Sequence, residues 1–424
     1  MPKPAGRPAR LCHFLYALSA VIVLHDGIGL TAARADNPGE LFIDPGAQRL
    51  GKSAITGQSA GQADVVPAAD APPAADAPRL SWAMLAVLEN SHLSHLSHLS
   101  ADGGQLPFSR LNYLDPIIQH ALEFKLTPSL GLYALSQVRS FAPGDRNRAL
   151  RDIDGQLLNL FLAWRPDGPT GDQTVFAGKF DAGVGEGWHR MDGIYSGFSA
   201  DYQYQGALGA GARQQWQGEW GQGALTAIAF KRDHGVLRDT WRRDHPQVRA
   251  DTDDSGLGKT PGLRSAGLAW EVKDMPAAPG WRLAGDVAHL AQGRAGARAM
   301  DAASLTADYG VDLGHDCGLR VFGEMVMADG FGGQSVRARH ATLSVSLASG
   351  RTVWTLTSAR RAMWATSGNL AAQGIDSALD RGLAAAVTYV TSGGPILQGG
   401  VLRQQAQGIA LTQFTLRAIF SFSS

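Results

Sequence analysis

The sequence has almost no cysteine: two in 424 residues, Cys12 and Cys317. It has no surplus of either charge, with 38 Lys and Arg against 38 Asp and Glu. No stretch reaches 18 consecutive apolar residues, and the C-terminal four-fifths shows almost no helical apolar periodicity. Each absence excludes something. Two cysteines make no disulfide framework. An even charge balance is not that of a nucleic-acid binder, which carries a basic surplus. Without a long apolar run there is no transmembrane helix. A membrane protein lacking such helices has one architecture left, the closed β-barrel.

What is present begins with an N-terminal leader. Lys3, Arg7 and Arg10 form a basic region, Leu11 to Leu24 is apolar, and Ala33-Arg34-Ala35 is a small-x-small cleavage site. The pattern predicts a secretory signal peptide over 1–35, with Asp36 as the first mature residue. Cleavage removes Cys12, four basic residues and one acid, which leaves 34 basic and 37 acidic residues and a lone Cys317. Residues 36–80 follow with "VVPAADAPPAADAPRL" and similar Ala-, Pro- and Asp-rich sequence. Such composition buries too little apolar area to fold alone, so a disordered periplasmic segment is expected.

From 81 to 424 the period changes to two. Leu305, Ala307, Tyr309, Val311 and Leu313 share one face, and Ser304, Thr306, Asp308, Gly310 and Asp312 the other. Phe414, Leu416, Ala418, Phe420 and Phe422 repeat the pattern, as do Ala341, Leu343, Val345 and Leu347. Segments of about ten residues with one apolar and one wet face exceed the usual five or six of soluble strands. The fold predicted is all-β: a transmembrane antiparallel up-and-down β-barrel of about 16 strands (14–18), near 81–90, 116–126, 129–140, 153–164, 174–180, 204–216, 223–232, 262–273, 281–292, 301–313, 319–328, 335–348, 351–362, 380–392, 396–407 and 410–422. Tight connectors such as 127–128 and 349–350 alternate with long ones such as 181–203 and 233–261, which places both barrel ends on the short-turn side. Trp82, Trp164, Trp270, Trp281, Trp354 and Tyr389 are candidates for interfacial girdles.

The stretch "VFAGKFDAGVGEGWHRMDGIYSGFSADYQ" carries a resemblance through Ala177, Gly178, Lys179, Phe180, Gly185, Trp188, Gly193, Ile194, Tyr195, Asp201 and Tyr202. It resembles a family of alphaproteobacterial-type porin-like outer-membrane proteins of Gram-negative bacteria. That resemblance implies an outer-membrane diffusion channel. It also implies that the barrel-assembly machinery reads the aromatic C-terminal strand, here Phe420-Ser421-Phe422-Ser423-Ser424.

Candidate site residues follow from the alternation and the long loop. Arg282, Asp286, Asp308, Asp312, Arg320, Glu324 and Arg417 are predicted to point inward, where opposed charges set the field across a pore. Asp181, Glu186, His189, Arg190, Asp192 and Asp201 lie in the loop 181–203, which by analogy with general porins narrows the channel. His92, His95 and His98 recur at a spacing of three in "SHLSHLSHL". On neither a helix nor a strand does that spacing converge three imidazoles, so an expanded hydrophilic loop is expected and weak zinc or copper binding is the alternative. "SGLGKT" at 255–260 lacks the first glycine of a phosphate loop, and no Gly-x-Ser-x-Gly elbow is present. The function expected is passive diffusion of small hydrophilic solutes or ions, with no cofactor and no catalytic residues. A non-channel barrel (an adhesin or structural protein), an outer-membrane hydrolase and a soluble exported β-protein are the alternatives. The partners expected are outer-membrane lipids, the assembly machinery and small hydrophilic solutes, with no nucleic acid and with a homotrimer as the candidate assembly.

Overall fold

The computed structural model describes residues 79–98, 110–140, 148–150, 153–166, 172–190, 202, 206–232, 257–293, 297–370, 375, 378–392, 395–406 and 409–423. Residues 1–35, and all but the last two residues of 36–80, lie outside them. Arg79 and Leu80 already belong to the first strand. In chain order the strands are β1 (Arg79–His98), β2 (Arg110–Thr127), β3 (Leu130–Ser140), β4 (Arg148–Ala149), β5 (Ile153–Trp164), β6 (Gln173–Phe180), β7 (Ala207–Gly218), β8 (Gly221–Arg232), β9 (Ser265–Lys273), β10 (Trp281–Leu290), β11 (Met300–Gly314), β12 (Cys317–Asp329), β13 (Val336–Ser349), β14 (Thr352–Ala365), β15 (Leu379–Val390), β16 (Ile396–Ala406) and β17 (Ile409–Ser423). β4 is a two-residue strand that pairs in parallel with β2. The other sixteen form the wall, each antiparallel to its neighbours, and β1 closes it by pairing with both β2 and β17. Every one of the sixteen predicted segments overlaps a wall strand.

The connectors alternate as the sequence implies. Residues 128–129, 219–220, 315–316 and 350–351 make tight turns at one end. Stretches such as 181–206, 233–264 and 366–378 separate strands at the other, with 407–408 as the short exception. The β11–β12 turn shows the chemistry: His315 (φ 53°) and Asp316 (φ 58°) are both left-handed, which matches the twist of a two-residue hairpin. The start of β1 and the end of β17 lie at this short-turn end.

Side-chain alternation sorts the wall into two faces. Leu305, Leu343 and Leu416 stand outward, 54%, 53% and 68% exposed. Thr306, Asp308, Thr342, Ser344, Thr355 and Thr357 point inward and are buried. Inward hydroxyls pair across strands, as in Ser344–Thr357 at 2.8 Å. A charged row lines the same face: Arg417 Nε donates to Glu89 at 2.5 Å, and the buried Arg361 Nε to Asp380 at 2.9 Å. Trp82, Trp164, Trp281, Trp354 and Tyr389 are outward and exposed near the short-turn ends of their strands, a girdle at that rim. Trp270 instead sits further up β9, where its indole covers Gly285 of β10.

One expectation is corrected. The histidine repeat is not a loop. The backbone of β1 continues through His98, and β2 begins at Arg110, so the first hairpin extends beyond the predicted 81–90 and 116–126. Pairing on both sides explains this: Ser91, His92 and Leu93 meet Tyr113, Asn112 and Leu111 on β2, and Thr415, Phe414 and Gln413 on β17. The His92 imidazole bonds Asn112 Oδ1 at 2.5 Å, and Leu93 packs with Leu111 and Leu411. Among the described residues no three His, Cys, Asp or Glu side chains form a metal cluster. Cys317 is buried at the start of β12. The other cysteine, Cys12, lies outside the described residues.

Candidate functional site

After β6 the chain turns inward. Phe180, Ala182 and Val184 are buried at alternate positions and pack on Leu290, Met300, Ala302, Val326 and Ala328. Those five residues sit at the long-loop ends of β10, β11 and β12, at inward positions where polar side chains would otherwise meet water. Val184 is fully buried. Burying a side chain of this kind is worth about 1.5–3 kcal/mol, so this apolar seam holds the loop against the inner wall.

Below the seam, carboxylates on the wall capture backbone amides of the loop. Gly185 N–H donates to Asp286 Oδ2 at 3.0 Å and to Oδ1 at 3.2 Å. Gly187 N–H donates to Glu324 Oε2 at 2.8 Å, and Glu186 N–H to the same oxygen. Tyr202, from the far end of the loop, donates its hydroxyl to Glu324 Oε1. Ser304 Oγ donates to Asp286 at 2.7 Å, and Thr306 Oγ1 to Glu324 at 3.2 Å, which orients both acids from β11. Gly185 has φ 79°, and a Cβ there would come 2.9 Å from Glu324 Oε2. Only glycine fits this pinch between wall and loop.

A short helical turn, α1 (Gly187–Arg190), then presents charge to the wall. Arg282 of β10 is chelated from both sides: Nη1 and Nη2 donate to Glu186 at 2.5 and 2.6 Å, and Nε to Glu271 of β9 at 2.8 Å. Arg320 of β12 binds Asp308 of β11 through Nε at 2.9 Å and Nη2 at 2.8 Å. Arg190 adds a third guanidinium, 3.4 Å from Asp308 and 3.9 Å from Glu186. Burial first, and then the Arg282 charge, push the Arg190 guanidinium below its usual range, opposed by Glu186 and Asp308. It still carries its charge at any physiological pH. Three guanidiniums thus interlace with five carboxylates, Glu186, Glu271, Asp286, Asp308 and Glu324.

The structure therefore brings Glu186, Arg190, Arg282, Asp286, Asp308, Arg320 and Glu324 into one cluster. Asp181 lies beside it and accepts Gly206 N–H at 3.2 Å, closing the base of the loop. Asp312 does not join: its carboxylate accepts Gly314 N–H at 2.8 Å beside the β11–β12 turn, at the opposite rim. Arg417 bonds Glu89 across the lumen from β9 and β10. Asp192, Asp201 and the His189 side chain lie outside the described residues.

Three contributors carried no assigned role in the sequence. Glu271 is a lone acid on a short strand. Tyr202 stood within the resembling stretch. His340 is buried on the inner face of β13, its ring edge-on to Tyr202 at 4.9 Å. The alternation Thr342, Ser344, Ser346 places His340 on that face, so its direction was legible and its partners were not.

Comparison with known proteins finds likeness at the level of structure alone. No family model and no curated protein matches this chain. Among solved structures, OprB of Pseudomonas putida has a TM-score of 0.53 at 11% identity, covering 81% of this chain and 94% of its own. OmpF of Salmonella typhi, solved in complex with daunomycin, gives 0.50 at 8%, covering 82% and 98%. The outer membrane channel DcaP of Acinetobacter baumannii gives 0.50 at 9%, covering 81% and 97%. At such identities the likeness establishes the fold: this chain is a closed, sixteen-stranded antiparallel up-and-down barrel of the transmembrane, porin-like kind.

Proposed function

We propose that this protein is an outer-membrane porin that lets small hydrophilic solutes or ions diffuse passively through its lumen. The observation that carries the reading is the loop 181–190, pinned to the inner wall by Asp286 and Glu324 and edged with Glu186 and Arg190. A loop held inside a barrel by buried contacts narrows the lumen without plugging it by a separate domain. Fixed opposite charges at that narrowing select solutes by charge and dipole. In this reading Asp181, Glu186, His189, Arg190, Asp192 and Asp201 on the loop, and Arg282, Asp286, Asp308, Asp312, Arg320 and Glu324 on the wall, line the path. Asp312 does so at the mouth. The reading includes cleavage of 1–35, a periplasmic segment 36–80, delivery by the assembly machinery through β17, and a homotrimer in the membrane. An alphaproteobacterial-type relationship is the corresponding proposal for descent.

The test is conductance in planar bilayers. The wild type should form stable, ohmic channels. Deleting Gly185 to Gly193 removes both the pinned segment and α1, and should raise single-channel conductance about twofold or more if this loop sets the narrowest section. A wild type that folds and conducts nothing would reject the channel in favour of a non-channel barrel.

A further inference from the structure

The outer face of the barrel carries a second feature that the pore does not use. At the long-loop end, Arg337 and Arg339 of β13, Arg360 of β14 and Arg381 of β15 all point outward and are exposed. Arg360 and Arg381 are directly opposed across the β14–β15 pair. Like charges so placed destabilise a strand pair unless something lies between them. β13, β14 and β16 contain no Asp or Glu, and the one acid of β15, Asp380, points inward to Arg361. Arg337 is met by Asp329 of β12 at 3.0 Å. Among the described residues Arg339 and Arg360 have no carboxylate partner.

Two further observations say what kind of anion fits. The arginines stand immediately above the apolar belt: Leu383, two residues on from Arg381, faces the same way and is 38% exposed. Beside them a trough of about 940 Å³ runs across the outer face of β8 to β14. Small side chains, Ala227, Ala266 and Ala303, lower its floor, Arg337, Arg339 and Trp364 form one rim, and the two acids of its lining, Asp301 and Asp329, are met by His289 and Arg337.

We infer that this face docks a lipid carrying a phosphate monoester, with its headgroup between Arg339, Arg360 and Arg381 and an acyl chain in the trough. A phosphate between the opposed guanidiniums replaces their repulsion by charge-assisted hydrogen bonds, and Arg presents the planar fork that phosphate oxygens accept. Position argues for a lipid over a soluble anion, because Leu383 of the apolar belt lies beside the arginines and the exposed Leu268, Val287 and Met327 line the trough. The site is independent of whether the lumen conducts.

The test uses the full folded protein in detergent, with lipid retention read by native mass spectrometry. Phosphatidic acid is compared with phosphatidylcholine of the same chains, with and without excess inorganic phosphate. Wild type should retain phosphatidic acid about tenfold more than phosphatidylcholine, given charge-assisted contacts from several guanidiniums. Arg339→Gln with Arg360→Gln should abolish the preference. Lys231→Gln with Arg264→Gln, which removes two charges on β8 and ahead of β9, should keep it. Ala303→Trp, which fills the trough and leaves the charge, should reduce retention. Equal retention of both lipids by wild type, an unchanged preference in the arginine double variant, or complete displacement by inorganic phosphate would each overturn the inference. If the double variant gives no folded, heat-modifiable band, the wild-type lipid comparison and Ala303→Trp decide the matter.

Discussion

Glu324 shows how much one carboxylate can organise. It accepts from two loop amides, from Tyr202 and from Thr306, and it is 5% exposed. Replacing it with alanine leaves buried N–H groups without partners and removes the charge they surround. Glu324→Ala should therefore cost about 2–4 kcal/mol, less whatever is regained by no longer burying a carboxylate. The measurement is the temperature at which the folded band is lost in SDS gels, and an unchanged profile would mean the loop is held by the apolar seam alone. Glu324→Gln should fall between the two, since an amide NH₂ faces donors it cannot accept from. The inward direction of Glu324 could be read from the period-two pattern. Its partners could not, because Glu186 and Gly187 offer main-chain amides, which no residue type announces, from 138 and 137 positions away.

At the scale of the strand, alternation carried nearly all the information, since a barrel strand must present alternate side chains to lipid and to the lumen. It failed where that requirement relaxes. The upper part of β1 reads "SHLSHLSH", with neither face consistently apolar, yet it is a strand because β2 and β17 supply ladder partners on both sides. The reverse failure lies at the long-loop ends of β10 to β12, where inward Leu290, Met300, Val326 and Ala328 are apolar because the loop covers them. Along β11 the two faces can be tested against each other. Leu305→Arg puts a charge into the apolar belt near the strand's middle and should destabilise the barrel by about 2–4 kcal/mol. Gly310→Ser, five residues on and facing inward, adds a side chain where nothing lies within 4 Å and should change stability by less than about 0.5 kcal/mol. Urea unfolding from vesicles compares them, and equal losses would mean that the faces are exchanged.

For the whole molecule the question is the sign of the field along the lumen. Among the described residues, the cluster that pins the loop holds five carboxylates and three guanidiniums with Asp181 beside it, while Arg417 and Glu89 on the opposite wall cancel. The balance is negative, so a channel limited at this level should prefer cations modestly. Arg282 gives the sharpest handle, because Glu186 and Glu271 grip it from two sides. Glu186→Gln with Glu271→Gln keeps the shape of both side chains and leaves the Arg282 charge uncompensated. Reversal potentials under a salt gradient should then move toward the anion value. The shift should be large in dilute salt and shrink toward 1 M, where the Debye length is about 3 Å and fixed charges are screened before an ion feels them. Arg282→Gln alone should move the potential the other way. The single-channel conductance of both variants should stay near that of the wild type, because neither frees the backbone amides that Asp286 and Glu324 hold. A reversal potential that ignores both variants at low salt would place the ion path away from β9 and β10, along the Arg417–Glu89 side of the lumen.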